Sequence, residues 1–246
     1  WSDSSGGSPG ASVPGSGDNV FLDANSGAAV LTVNVTSACL NLDCTGFAGT
    51  LTGVSPLAVW GTVFKLVAGM TWSLTGQTNF RATSGTVQIT TNGRYIGNAL
   101  IINGAGGTFQ LQDDLYLAGS MTLTGGTFDP NGKKVVFTGS TPTINGSITF
   151  FDLERKPTFA AVDRTLFLAS NITVTNNLVL DSNSTDADKR LLITSNTRGT
   201  SRTITCNGTV TANYCDFEDI TGAGSASWDL SAATGNSGNC GGNSGI

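Results

Sequence analysis

The chain has 246 residues, with 12 Lys and Arg against 17 Asp and Glu for a net charge of −5, and only 12% of its residues are charged. That balance excludes a nucleic-acid-binding protein, which displays a basic patch built from many Lys and Arg. The absence of His excludes Ser-His-Asp triads, Cys-His dyads, His-ligated zinc and haem on a proximal His.

Residues 1–19 (WSDSSGGSPGASVPGSGDN) are poor in apolar side chains and dense in Gly, Ser and Pro. They predict an irregular lead-in that caps the strands after it. The first residue is Trp1 rather than Met, which implies a processed or incomplete N-terminus. Strand-like pieces come next at 19–22, 29–35, 57–66, 70–74, 86–90, 99–102 and 108–111. More lie at 120–124, 134–138, 147–153, 165–168, 172–180, 191–194, 203–206 and 214–217. Most alternate apolar and polar residues, as in Met121-Thr122-Leu123-Thr124, the period of a strand with one buried face. With 33 Gly for tight turns and abundant Thr for strands, the composition is that of many short strands. The longest apolar stretch, 57–70, carries Thr62 and Lys65 and is too short to span a bilayer.

A Gly followed by Thr or Ser and an apolar residue recurs at Gly61, Gly85, Gly107, Gly126 and Gly146, at intervals of 24, 22, 19 and 20 residues. The strings are GTVF, GTVQI, GTFQL, GTFD and GSITF, with a later GTVT at Gly208. A period of that size holding two or three strands is what a β-solenoid coil requires, since a single coil cannot bury its own apolar face. The predicted fold is all-β, a right-handed single-stranded parallel β-helix with an irregular N-terminal cap. A β-sandwich or jelly roll is the alternative, although neither predicts the recurring string. At about 4.8 Å per coil, some eight coils would make a rod roughly 40 Å long. The expected organisation is a lead-in over 1–19, coils over 20–222 and an irregular tail over 223–246. Val63, Val87, Phe109, Phe128 and Ile148, which follow the repeated Gly, are expected to stack in the interior.

The opening, from Trp1-Ser2-Asp3-Ser4-Ser5-Gly6-Gly7 through Val13-Pro14 to Asp18-Asn19-Val20-Phe21-Leu22-Asp23-Ala24-Asn25, resembles the entry segment of a right-handed β-helix module. That module occurs in secreted bacterial surface proteins and in structural or fibre proteins of tailed bacteriophages. Tyr214-Cys215-Asp216-Phe217-Glu218-Asp219-Ile220, then Trp228, Gly235-Asn236 and Gly238-Asn239 to Gly245-Ile246, resemble its closing coil and tail. The resemblance implies a structural or adhesive role without catalysis, on a virion surface or at the cell surface. It points first to a bacteriophage tail fibre, spike or capsid fibre assembled as a trimer, and second to a secreted adhesin. Its partners would be other virion or cell-surface proteins or a surface glycan, with no nucleic acid, no membrane insertion and no cofactor. A β-helix polysaccharide lyase or glycosidase is the alternative from another class.

No residue is assigned a catalytic, cofactor-binding or metal-binding role, but several groups have the right chemistry to consider. Asp113 and Asp114 are adjacent, so in a strand they point to opposite faces. Asp216 and Glu218 share parity around the inward-reading Phe217 and would sit about 7 Å apart on the outer face, a spacing that suits an inverting glycosidase pair. Asp219 follows them. Asp152, Glu154, Arg155, Lys156, Asp163 and Arg164, beside Pro157, form the densest charge cluster and predict a solvent-exposed loop with local ion pairs. Asp181, Asn183, Thr185 and Asp186 resemble half a calcium loop without its turn Gly and terminal Glu. Arg81, Arg94, Lys133 and Lys134 are the basic residues a lyase would draw on. Trp60, Trp72, Tyr95, Tyr116 and Trp228 would stack on sugars if they face outward. The five cysteines, Cys39, Cys44, Cys206, Cys215 and Cys240, match no zinc spacing. They read mainly as small buried residues, with Cys39–Cys44 or Cys206–Cys215 disulfides as the alternative. The sequons at Asn34, Asn145, Asn171, Asn183 and Asn207 are expected by chance in so Asn- and Thr-rich a chain.

Overall fold

The computed structural model describes residues 1–158, 163–184, 189–233, 235 and 237–246. Short strands separated by Gly and Asn corners pair in parallel with their equivalents one turn on, giving a parallel β-solenoid of about ten turns. Parallel ladders rule out the sandwich alternative, whose sheets are antiparallel. Among the described residues no helix is long and apolar enough to cross a membrane. A single helical turn, Ala24–Ser26, is capped by Asp23, whose Oδ1 accepts from the backbone amides of Asn25 and Ser26.

The strands fall into two compact units, each with its own core. The first comprises Trp1–Leu115 and Thr124–Asp129. One face of this unit stacks Val20–Phe21, Leu42–Asp43, Val63–Lys65, Thr86–Thr90 and the end of the long strand Ala99–Leu111. A second stacks Val30–Val33, Thr50–Gly53 and Thr71–Leu74, and a third Ser37–Cys39, Leu57–Val59, Thr78–Phe80 and the start of Ala99–Leu111. Inward residues of the three faces converge on an aromatic core. Phe64 meets Trp72 edge-on with ring centroids 5.7 Å apart and Phe80 at 5.2 Å, and Phe80 lies 6.1 Å from Phe109. Each such pair contributes about 1 kcal/mol beyond the area it buries. Corners must be tight for coils to stack. A Cβ on Gly76 would lie 2.0 Å from the Ser55 carbonyl oxygen of the preceding coil, so no other residue fits there.

The second unit comprises Tyr116–Leu123 and Pro130–Ile246. Lys134–Phe137, Asp152–Arg155, Asn177–Asp181 and Thr209–Asn213 stack on one face, and Thr149–Phe150, Ile172–Val174, Arg202–Cys206 and Ile220–Ala223 on another. The third carries Thr143–Asn145, Thr165–Leu168, Leu191–Ser195 and Cys215–Glu218. Leu166, Ile193 and Phe217 form a continuous inward column on that face. The pairing continues into the C-terminal segment, where Gly238–Asn239 adds to Cys215–Glu218 and Ser244 bridges to Thr221.

Two expectations about the interior need correction. Val87 and Phe109 are paired and fully buried, but Val63 is opposite Gln88, one position out of step, and is only half-buried. Phe64 takes the interior place instead, opposite Ile89. Phe128 and Ile148 are buried, but they lie in different units. The Gly-Thr string therefore marks coil corners without fixing one interior position.

Candidate functional site

Cys215–Glu218 alternates buried and half-buried residues, which puts Asp216 and Glu218 on the outer face with Phe217 between them in the core. The parity expected from the sequence holds, but each carboxylate has its own cation. Asp216 Oδ2 accepts from Arg190 Nε at 2.7 Å, and the same guanidinium donates to the carbonyls of Gly235 and Cys215. The hydrogen bond to Asp216 raises the Arg190 pKa, against a smaller opposing effect of burial. Glu218 Oε1 accepts from Arg198 Nε and Nη2 at 3.1 Å, and Oε2 from the Thr194 hydroxyl at 3.4 Å. Asp219 is buried, and its Oδ2 accepts from the Gly199 amide at 2.6 Å. These contacts tie one coil to the previous one.

The charge cluster around Pro157 is not the solvent-exposed loop that its composition predicts. Asp152–Arg155 alternates outward and inward, so Arg155 shares the inward column with Leu153 and is opposite Phe137 and Leu180. It is fully buried, with Nη1 donating to the Phe137 carbonyl at 2.9 Å and Nη2 to those of Ser140 and Thr165. Burial, with a smaller contribution from the charge of Arg164, pulls its pKa down to about 10. Arg164 is buried as well and donates to the carbonyls of Ser182 and Lys189. The remaining charges pair at the surface, Lys134 with Glu154 at 2.9 Å and Lys156 with Asp181 at 3.6 Å. Asp152 accepts from Asn176 and Asn177, while Asp163 is exposed.

Local structure also accounts for the other candidates. Asp113 accepts from the backbone amides of Thr91 and Asn92, closing a corner of the preceding coil, and the Asp114 carbonyl accepts from the Thr91 hydroxyl. Asp181 Oδ1 accepts from the Asn183 amide, and Thr185 and Asp186 lie outside the described residues. Among the described residues, no group of three or more Cys, Asp or Glu is placed to hold a metal ion. Arg81 stacks over the Trp60 ring at 5.5 Å, Arg94 donates to the Met70 carbonyl, and the Lys133 amide closes a turn on Pro130. Trp72 and Trp228 are core residues, the latter donating Nε1 to the Ala223 carbonyl. Tyr116 is half-buried, and Trp60 and Tyr95 are exposed, at 40% and 51%. All five cysteines are free thiols, four of them buried and Cys240 exposed. Burial raises the pKa of Cys39, Cys44 and Cys215 to about 12, so none of these three is a nucleophile at neutral pH. No family model, no curated protein and no solved structure matches the chain.

Proposed function

We propose that the chain is a non-enzymatic structural or adhesive solenoid, a component of a bacteriophage virion such as a tail fibre, spike or capsid fibre. The observation that carries the non-catalytic part is the separate neutralisation of Asp216 by Arg190 and of Glu218 by Arg198. The most suggestive carboxylate pair in the sequence is thereby used to join coils. The virion part rests on the resemblance of both chain ends to β-helix modules of phage structural proteins. A secreted bacterial adhesin is the second reading, favoured by the exposed Trp60 and Tyr95, whose rings are of the kind that stack on sugars.

Three measurements test the proposal. Reducing-end or unsaturated-product release is assayed over a panel of pectins, alginates and bacterial capsular polysaccharides, with Asp216→Asn and Glu218→Gln alongside. No turnover is the expected result, and activity lost in either variant overturns the structural reading. Mass spectrometry of purified virions and of cell-envelope fractions then separates the two origins. Sedimentation equilibrium tests the homotrimer proposed with the fibre, which requires three times the 25.1 kDa of one chain.

A further inference from the structure

In the first coil of the N-terminal unit, Val30–Val33 is an edge strand among the described residues. Val30–Val33 pairs with Thr50–Gly53 on one side and with no described residue on the other. The Thr50 amide bonds to the Ala29 carbonyl and the Ser55 amide to that of Val33. Odd-numbered residues of the strand thus face the next coil, and the amides and carbonyls of Val30 and Thr32 face the open edge. Natural edges are protected by Lys, Pro, bulges or a covering element. Here residues 29–37 (AVLTVNVTS) hold no charge and no Pro. The lead-in crosses this end, with Ser5 bonded to Asp23 and Asn25, yet a cavity of about 1190 Å³ remains between it and the coil.

The walls of that cavity are mixed, and its charged side chains have one sign. Leu31 and Val33 line it half-buried, and Phe21, Val30 and Val35 line it with more than half of their surface exposed. Asp3, Asp18, Asp23 and Asp43 are its charged residues, and residues 1–64 contain no Lys or Arg at all. The polar partners of Asp18, Asp23 and Asp43 are backbone amides and hydroxyls, and no cation is paired with them among the described residues.

We propose that this edge is a docking site for an extended partner segment of alternating apolar and Lys or Arg residues, bound as an added strand along Val30–Val33. The free amides and carbonyls of Val30 and Thr32 supply the main-chain ladder. Apolar side chains of the segment lie over Leu31 and Val33, and its cations, on the opposite face of the strand, are drawn by the field of the four carboxylates. Strand addition draws affinity from the main chain and specificity from alternate side chains. The site is independent of the virion or adhesin reading, since it needs only an exposed edge.

The test uses the full chain and a labelled ten-residue peptide of alternating Val and Lys, read by fluorescence anisotropy. A Val-Glu peptide and a Val-Lys peptide N-methylated at alternate amides are the comparisons. We expect the Val-Lys peptide to bind at least about tenfold more tightly than either. Thr32→Pro removes one edge-facing amide without touching the internal ladder and is expected to weaken binding to a similar degree. Equal binding of the Lys and Glu peptides, or of the methylated and unmethylated ones, overturns the proposal. The methylated peptide tests the ladder even if Thr32→Pro fails to fold. Self-association abolished by Thr32→Pro would assign the edge to a second copy, and slow hydrogen exchange at the Val30 and Thr32 amides in the isolated chain would assign it to the lead-in. Either outcome overturns the basic partner.

Discussion

A guanidinium inside a solenoid has to find acceptors without water, and Arg155 finds them for Nη1 and Nη2 in the carbonyls of Phe137, Ser140 and Thr165, while its buried Nε has none among the described residues. Removing Arg155 costs a cavity and one hydrogen bond at each carbonyl, although Phe137 and Ser140 still accept from the amides of Lys156 and Thr165, while removing the buried charge itself returns part of that cost. Arg155→Ala is expected to lose about 3 kcal/mol. Arg155→Met keeps the volume and sheds the charge, and is expected to lose less. Urea denaturation measures both, and a Met variant as unstable as the Ala variant would show that the carbonyl contacts dominate. At the surface, Cys240 is the exposed thiol, and its pKa is raised by partial burial first and then by Asp216 and Glu218. A mild alkylating reagent should therefore modify Cys240 in the native protein, faster as pH rises, and reach the other four thiols after unfolding. Intact mass before and after denaturant reads this directly. Prompt labelling of Cys39 or Cys215 would contradict their burial.

At the scale of the strand, one residue of register decides which face a side chain takes. Val63 and Val87 follow the same Gly-Thr string, yet Val63 is half-buried and Val87 is fully buried opposite Phe109. Val87→Thr places a hydroxyl in the core and is expected to cost about 1–3 kcal/mol, and Val63→Thr less than about 0.5 kcal/mol. Melting curves of the pair decide the register, and equal losses would contradict it. Phe109→Asp, which puts an unpaired carboxylate into the same core, should prevent folding. The alternation that exposes strands was legible in the sequence, and so was the coil period, because both follow from burying one face. Strands without strong alternation, such as Thr78–Phe80 and Leu57–Val59, where every residue is buried, were not marked as separate units by that signal. The outward parity of Asp216 and Glu218 was equally legible. Their cations were not, because Arg190 and Arg198 reach them from the preceding coil, 26 and 20 residues earlier. For Arg155 the signal was present in Asp152-Leu153-Glu154-Arg155, whose alternation turns Arg155 inward. Composition alone argued for a solvated loop.

For the molecule as a whole, the groups with the most displaced ionisation are buried thiols, and they tie global stability to alkaline pH. Cys39, Cys44 and Cys215 have pKa values raised by burial from 9.0 to about 12. The unfolded chain releases these protons as pH passes 9 while the folded chain holds them, so the folded state binds more protons and stability falls as pH rises. Their contribution is complete below pH 9 and is lost progressively up to about pH 12. At full ionisation it amounts to at most roughly 4 kcal/mol per thiol. Arg155 acts in the opposite sense, since its pKa is pulled down to about 10 and the unfolded chain keeps that proton longer. Three thiols outweigh one guanidinium. The urea midpoint is therefore expected to hold level with respect to these groups from pH 7 to 8 and to decline steadily between pH 9 and 11. A Cys39→Ala, Cys44→Ala, Cys215→Ala triple variant starts from a lower midpoint because of the cavities it opens. The slope of the midpoint against pH reads the thiols separately from those cavities, and it should flatten in the triple variant. An unchanged slope would place the alkaline sensitivity elsewhere.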